Sequence, residues 1–563
     1  MYLPEIFENT NTYLIPLTIF LNYDMVALSY FYEVLVMLPF QLPAFGETEF
    51  FDNQMNKTAR VVLIPHSPES RFLEYCHLLN QSGFTQTELV SLSHRRFAAF
   101  QKETTGVFVN YFANTEELQL VTEENCAYFS YTDTCKPAVV QPQLTQVKLS
   151  GYGLSDVIRL SDGRQIIIDI GDAHEEDADA LFARLKADSP YEKPIVAAWI
   201  ITHPHCDHYH GFFPFMEKYA AEVIIEKFFF NFPDADDLEH YPALAAVRNN
   251  INKWWHTEGL QTNEALKRFL KQVEAMGVPV YMPHTGQSYR IGDADFLFLA
   301  STDDTIHCSQ NINHACLMFM MDLGGQRTFF TADGSFSDAR LPERYGQELK
   351  ADIMQVPHHG FGCGDDDSQI RGYRLVAPRT CLLPVEFREA YTSFTTFRPG
   401  TNYLMTRLDI DELLTGEKEQ VLALPYSPDP AEAFTYQQRY LEGRDNGGAR
   451  TWIFSDLNTG RKEDFIFSVF NGTYYNAQLQ VELFFENMQK KIVKIQNQGL
   501  RLGVFRLNCL LHPEDDQEKF DAPDFLEQMG IPENTYFTVR FISNLPIVVS
   551  HRDHTPAYHS SIV

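Results

Sequence analysis

The sequence predicts an α/β protein: a strand–helix–strand centre, a small α+β region before it and a β-rich region after it. Three observations carry that expectation. In the centre, apolar runs of strand length at 165–170 and 195–201 bracket Ala178, Leu181, Phe182 and Leu185, which repeat at helical spacing. Before it, at 58–140, one helical pattern lies among several strand-like runs. Beyond 428, apolar and polar residues alternate with period two; Leu479, Val481 and Leu483 fall on one side and Gln480 and Glu482 on the other.

The chain has 563 residues, room for roughly two to four domains. Apolar residues make up 44%, which suits packed cores and excludes global disorder. The first segment, 1–57, is very apolar between 12 and 45 and carries no Lys or Arg before Lys57. It therefore lacks the basic start of a signal peptide. Asp24, Glu33, Pro39 and Pro43 interrupt the run, so packing on another domain or subunit is preferred to a membrane association. A small domain is expected at 58–140. There 61–64 reads as a strand, and Ser67 with Pro68 opens a helix that Gly83 ends. Phe72, Tyr75, Cys76 and Leu79 form its buried face. Strands follow at 96–100, 106–112 and 118–121, then a linker at 137–142.

The central region, 146–427, opens with paired strands at 147–149 and 155–160 and a strand at 165–170 ending in Asp169 and Gly171. The strand at 195–201 then runs directly into Thr202-His203-Pro204-His205-Cys206-Asp207-His208-Tyr209-His210-Gly211. Residues i and i+2 of an extended chain point the same way, so His203 and His205 can grip one metal ion. Asp207 and His208, one turn on, can grip a second. Imidazole with carboxylate suits zinc, and manganese or iron fit the same donors. Cys206, between two ligands, is expected to pack or to support them rather than act as a nucleophile.

This stretch resembles the His-x-His-x-Asp-His signature of the metallo-β-lactamase-fold hydrolases, and further motifs follow in that family's order. By the resemblance, Asp169 orients a ligand histidine through a hydrogen bond. Asn313-His314-Ala315-Cys316 stands at the third motif and is closest to the Asn-x-x-Ser of bacterial DNA-uptake nuclease domains, with Cys for Ser. Asn313 then supports the site, and His314 is either a ligand or a neighbour of the substrate. A strand at 327–331 ends in Asp333, the position of a carboxylate that bridges two metals in the family. Val356-Pro357-His358-His359-Gly360 matches the DNA-uptake-nuclease-like and choline-phosphate-esterase-like branches. One of its histidines is expected on the second metal and the other on the substrate. The strand at 380–385 closes the set. The implied fold is the αββα sandwich of that family, carrying a strand at 222–230 and a helical insertion at 234–277 that shapes specificity.

The implied activity is hydrolysis by water activated on two divalent ions, with zinc favoured. The catalytic and ligand set is His203, His205, Asp207, His208, His314, Asp333, His358 and His359. A small phosphoester is the expected substrate. The net charge of −30, from 75 acidic and 45 basic residues, argues against long nucleic acid. A carboxylic ester, lactone or thioester is the competing substrate class, and an inactive binding or scaffold protein on the same fold the competing function. Nine cysteines without a Cys-x-x-Cys pair read as reduced thiols in a cytoplasm. The region 428–563 reads as a β-rich accessory domain, and it or the N-terminal segment is a candidate for homo-oligomer contacts. His551, His554 and His559 read as a polar tail.

Overall fold

The computed structural model describes residues 51–54, 59–92, 94–124, 132–133, 136–151, 153–231, 262–306, 312–337, 339–360, 366–384, 410–428, 449–471, 476–497, 501–507, 525–551 and 558–560. The apolar run at 12–45, most of the insertion at 234–277 and His554 lie outside them. Helices and sheets are mixed throughout, so the chain is of the broad α/β class. No helix among the described residues is long and apolar enough to cross a membrane.

The first sheet holds β1 (Phe51–Gln54), β2 (Ala59–Ile64), β3 (Thr85–Ser91), β4 (Arg95–Lys102), β5 (Thr105–Phe112) and β6 (Glu117–Glu123), in the order β1-β2-β6-β5-β4-β3. The helix Glu69–Gln81 covers one face through Phe72, Tyr75 and Leu79, while Cys76 sits at the margin. Ser67 does not cap this helix: its hydroxyl donates to the Ile64 carbonyl, and Pro68 takes the cap position. The opposite face, with Val61, Phe97, Phe108 and Val121, packs on the central region.

The second sheet is built from β7 (Gln143–Gln146), β8 (Asp156–Arg159), β9 (Gln165–Ile168), β10 (Ile195–Ile200), β11 (Ile224–Ile225), β12 (Phe228–Phe229) and β13 (Val280–Tyr281). The expected strand at 147–149 lies earlier, as β7, because the chain turns away after Val147 and Ser150 donates to the Asp177 carboxylate. The expected strand at 222–230 is two short pieces, β11 and β12, each parallel to β10. β9, the helix Glu175–Asp188 and β10 make a parallel β-α-β unit. Three carboxylates in the first turn of that helix complement its N-terminal dipole.

The third sheet runs in order through β14 (Ser288–Ile291), β15 (Ala294–Ala300), β16 (Met318–Leu323), β17 (Gln326–Phe330), β18 (Ile353–Gln355), β19 (Thr380–Leu383) and β20 (Glu412–Thr415). β19 does not close the set; β20 pairs beyond it, and β21 (Gln420–Ala423) returns to pair with β7 in the second sheet. One buried cluster joins the two sheets, with Ile158, Ile166 and Ile168 from one meeting Phe298, Phe319, Phe330 and Ile353 from the other. On the far side of the second sheet, Ile167 and Trp199 pack with Leu181, Phe212 and Phe269, which are borne on helices. On the far side of the third sheet, Phe329 and Met354 pack with Leu341, Tyr373 and Val376. Both faces of the central strands are thus buried, which explains why they read as unbroken apolar runs.

The last sheet comprises β22 (Ala449–Asn458), β23 (Ile466–Asn471), β24 (Ala477–Phe485), β25 (Lys490–Asn497), β26 (Arg501–Arg506), β27 (Tyr536–His551) and β28 (Tyr558–Ser560). Leu479, Val481 and Leu483 enter its core. Glu482, expected on the polar side, is also buried and pairs with Lys490 and Arg540. His551 is buried against the Phe454 and Phe467 rings rather than lying in a polar tail.

Candidate metal centre

The site lies where four strands end at their carboxyl sides, the usual place for function in open parallel sheets. Asp169 follows β9, Thr202 and His203 follow β10, Asp333 follows β17 and His359 follows β18. Three of these segments break their regular backbone at the site. Asp169, Ala332, His358 and His359 all have φ between 48° and 52°, the left-handed region that non-glycine residues seldom adopt. Asp207 and His208 sit on the single helical turn Cys206–Tyr209.

Two donor sets converge. In the first, His203 Nε2 lies 3.1 Å from His205 Nδ1 and 3.8 Å from Asp333 Oδ2. In the second, Asp333 Oδ1 lies 3.2 Å from both His208 Nε2 and His359 Nε2, and Asp207 Oδ2 lies 3.2 Å from His359 Nε2. All of these side chains are buried. One carboxylate therefore offers one oxygen to each set.

Asp169 organises the second set from behind. Its carboxylate accepts from Thr202 N at 2.8 Å and Thr202 Oγ1 at 2.7 Å, and meets His208 Nδ1 at 2.7 Å. A proton on His208 Nδ1 directed at Asp169 leaves Nε2 as a lone pair facing His359 Nε2 at 3.3 Å. Two facing imidazole nitrogens and two carboxylates form a donor set that could hold a cation. Oxygen and nitrogen ligands about 2.0–2.2 Å from a tetrahedral ion lie about 3.3–3.6 Å apart, close to the separations seen. Asp207 Oδ1, buried without a hydrogen-bond partner among the described residues, is a further donor of the same kind. These buried His/Asp clusters could hold a metal ion.

The electrostatics without metal reflect the same crowding. Burial, then the His208 and His205 rings, hold His203 well below the usual histidine range, and burial takes His205 down to about 4. Burial also acts to lower His208 and His359, but the carboxylates win. Asp333, Asp207 and Asp169 hold His208 well above the usual range, and Asp333 and Asp207 push His359 up to about 9. Burial opposes ionisation of Asp333 and Asp207, yet the facing imidazoles keep both below the ordinary carboxylate range.

His358 stands apart from its neighbour. Its side chain is 27% exposed, its Nε2 lies 3.8 Å from Asp333 Oδ2, and Asn313 Nδ2 meets that nitrogen at 3.3 Å. His314 is in the short turn Ile312–Ala315, but its side chain lies outside the described residues. Cys206 is buried, and burial pushes its thiol up, away from the thiolate. Sequence reasoning missed Thr202, whose position beside His203 gives no sign that it holds Asp169 twice. It also missed Gln355, whose Oε1 accepts from Thr331 N at 3.0 Å and so ties β18 to the end of β17.

No family profile matches the chain, and no curated protein matches it. Among solved structures, a stretch is similar to the Anabaena sensory rhodopsin transducer, at 18% identity over 19% of this chain and 82% of that one, with a TM-score of 0.14. Another similarity is to Thermotoga maritima 1070, at 16% identity over 20% of this chain and 96% of that one, also with a TM-score of 0.14. Similarity at that level carries no argument about this chain.

Proposed function

We propose that the chain is a metallo-β-lactamase-fold hydrolase with a dinuclear metal centre, acting on a small phosphoester. The observation that carries the reading is the division of Asp333: Oδ2 faces the His203–His205 pair while Oδ1 faces His208 and His359. The ordered motifs that led to the family expectation supply these residues. Two sheets sharing one core, each with helices outside, support the sandwich fold that the reading requires.

His203, His205 and Asp333 would hold one ion, and Asp207, His208, His359 and Asp333 the other. When bound, the ions supply Lewis acidity and make water acidic enough to ionise near neutral pH. Asp169 and Thr202 keep His208 in its ligand tautomer. His358, more exposed than the other histidines of the set, faces the substrate and carries a proton toward the leaving oxygen. Burial lowers its pKa, but an anionic phosphoester beside it raises that pKa again and favours the protonated ring. The acidic net charge favours a small substrate over a nucleic acid. The free cysteines Cys76, Cys206, Cys316 and Cys381 accord with a reducing cytoplasm.

The test separates the paired histidines. His359→Ala should lose metal and turnover together. His358→Ala should keep its metal while turnover falls about 10²–10⁴-fold, the range for loss of a general acid. Turnover is read on the best substrate from a screen of phosphodiesters, phosphomonoesters, lactones and thioesters with zinc or manganese. If both variants keep full metal and full turnover, this reading of the pair is wrong.

A further inference from the structure

A second group of side chains that could hold a metal ion gathers at the helical turn Cys206–Tyr209. Cys206 and His210 are four residues apart, and the His210 backbone N–H donates to the Cys206 carbonyl at 3.0 Å. That i, i+4 relation sets both side chains on one face of the turn. Asp172 comes to them from the loop after β9, and one donor atom from each of the three falls within 4.8 Å of the others.

The His210–Asp172 separation suits two ligands of one cation. His210 Nδ1 and Asp172 Oδ1 are 3.6 Å apart, beyond hydrogen-bond reach. Nitrogen and oxygen ligands sharing one tetrahedral ion stand about 3.3–3.6 Å apart, so this pair needs little adjustment. The Asp172 carboxylate is already oriented, since its Oδ1 accepts from Ala173 N at 2.7 Å. The backbone around it has no slack. Gly211 N donates to Gly171 O at 3.1 Å, and a Cβ on Gly211 would meet Ile170 O at 2.5 Å and Asp172 O at 3.0 Å. Cys206 and His210 are buried, while the Asp172 side chain is 21% exposed and gives an ion a way in.

We propose that Asp172, Cys206 and His210 form a third divalent-cation site, of the zinc class. It clips the loop after β9 to the helical turn that carries Asp207 and His208. Sulfur, nitrogen and oxygen donors together select a borderline-soft ion over magnesium or calcium. Three protein ligands leave a fourth position for water. This site shares no residue with the dinuclear centre and has the thiol that the centre lacks.

Cobalt(II) is the probe, because a cobalt–thiolate bond gives a charge-transfer band in the near ultraviolet and the dinuclear donors contain no sulfur. The cobalt-loaded full chain should show that band, and Cys206→Ser should abolish it. Asp172→Asn and His210→Gln should each weaken cobalt binding, read by titrating the band, by more than the roughly 10–100-fold that loss of a mere supporting partner costs. His203→Ala, which cripples the dinuclear centre, should keep the band, so failure of that centre is read separately. Circular dichroism checks that each variant is folded. A cobalt-saturated wild type without the band overturns the proposal. So does a band that survives in Cys206→Ser, or one that titrates unchanged in both Asp172→Asn and His210→Gln.

Discussion

At the scale of single residues, protons and the proposed metal would compete for the same atoms. His208 is held well above the ordinary histidine range and His359 near 9, so below those values the metal-free centre keeps protons on both rings. A cation must displace them. The sign follows: falling pH adds protons to the metal-free form and weakens metal binding, by about tenfold per pH unit for each proton displaced. Zinc affinity should therefore climb between about pH 6 and 9, with protons released on binding. Calorimetry in buffers of different ionisation enthalpy checks this, and a pH-independent affinity without proton release contradicts it. His203, His205, Asp207 and His208, within six positions of the sequence, fall in groups that could hold a metal ion. The sequence could not show which of His358 and His359 turns inward. That depends on two successive left-handed backbones, at φ 49° and 51°, for which neither histidine gives a local signal.

At the scale of elements, the centre depends on how the ends of β17 and β18 are held together. Gln355 accepts from Thr331 N and Thr331 Oγ1, each at 3.0 Å, and its Nε2 donates to Ala332 O at 3.3 Å. These bonds set the approach of Asp333 to His359. Replacing Gln355 by Leu leaves the buried Thr331 N–H unsatisfied, at about 1–3 kcal/mol, while Ala332 O keeps the His358 N–H and Thr331 Oγ1 keeps the residue-355 carbonyl. Gln355→Leu should therefore lower stability in urea and weaken zinc binding, although Gln355 belongs to neither donor set. Unchanged stability and affinity would show that β17 and β18 need no such tie. Strands such as β9 and β10 were legible because both faces are apolar. The short β11 and β12 and the misplaced β7 were not, since their limits are set by pairing with β10 and β8 rather than by local pattern.

At the scale of the whole molecule, the N-terminal sheet is joined to the central region by buried charge. Arg344 is fully buried; it reaches Glu117 of β6 at 3.3 Å and Asp304 at 2.6 Å, and lies 4.4 Å from the Phe112 ring centroid. His284 stacks on Phe108 and meets Asp303 at 3.0 Å. Nothing in the sequence announces this, because Glu117, Asp304 and Arg344 are far apart along the chain and each looks like a surface residue. Arg344→Leu leaves the buried Asp304 carboxylate without its cation, while Glu117 keeps Arg340, and should cost about 3–5 kcal/mol in denaturant unfolding. A loss under about 1 kcal/mol, the value of an exposed pair, would mean that the sheet does not depend on this contact.

The central claim is that one carboxylate joins two ions. Crystals of the zinc-reconstituted chain, measured on both sides of the zinc absorption edge, test it most directly. The account predicts two anomalous peaks flanking Asp333, one touching His203 and His205, the other Asp207, His208 and His359. A zinc-saturated structure with no peak beside Asp333, or with a single ion that leaves either histidine set without metal, contradicts it.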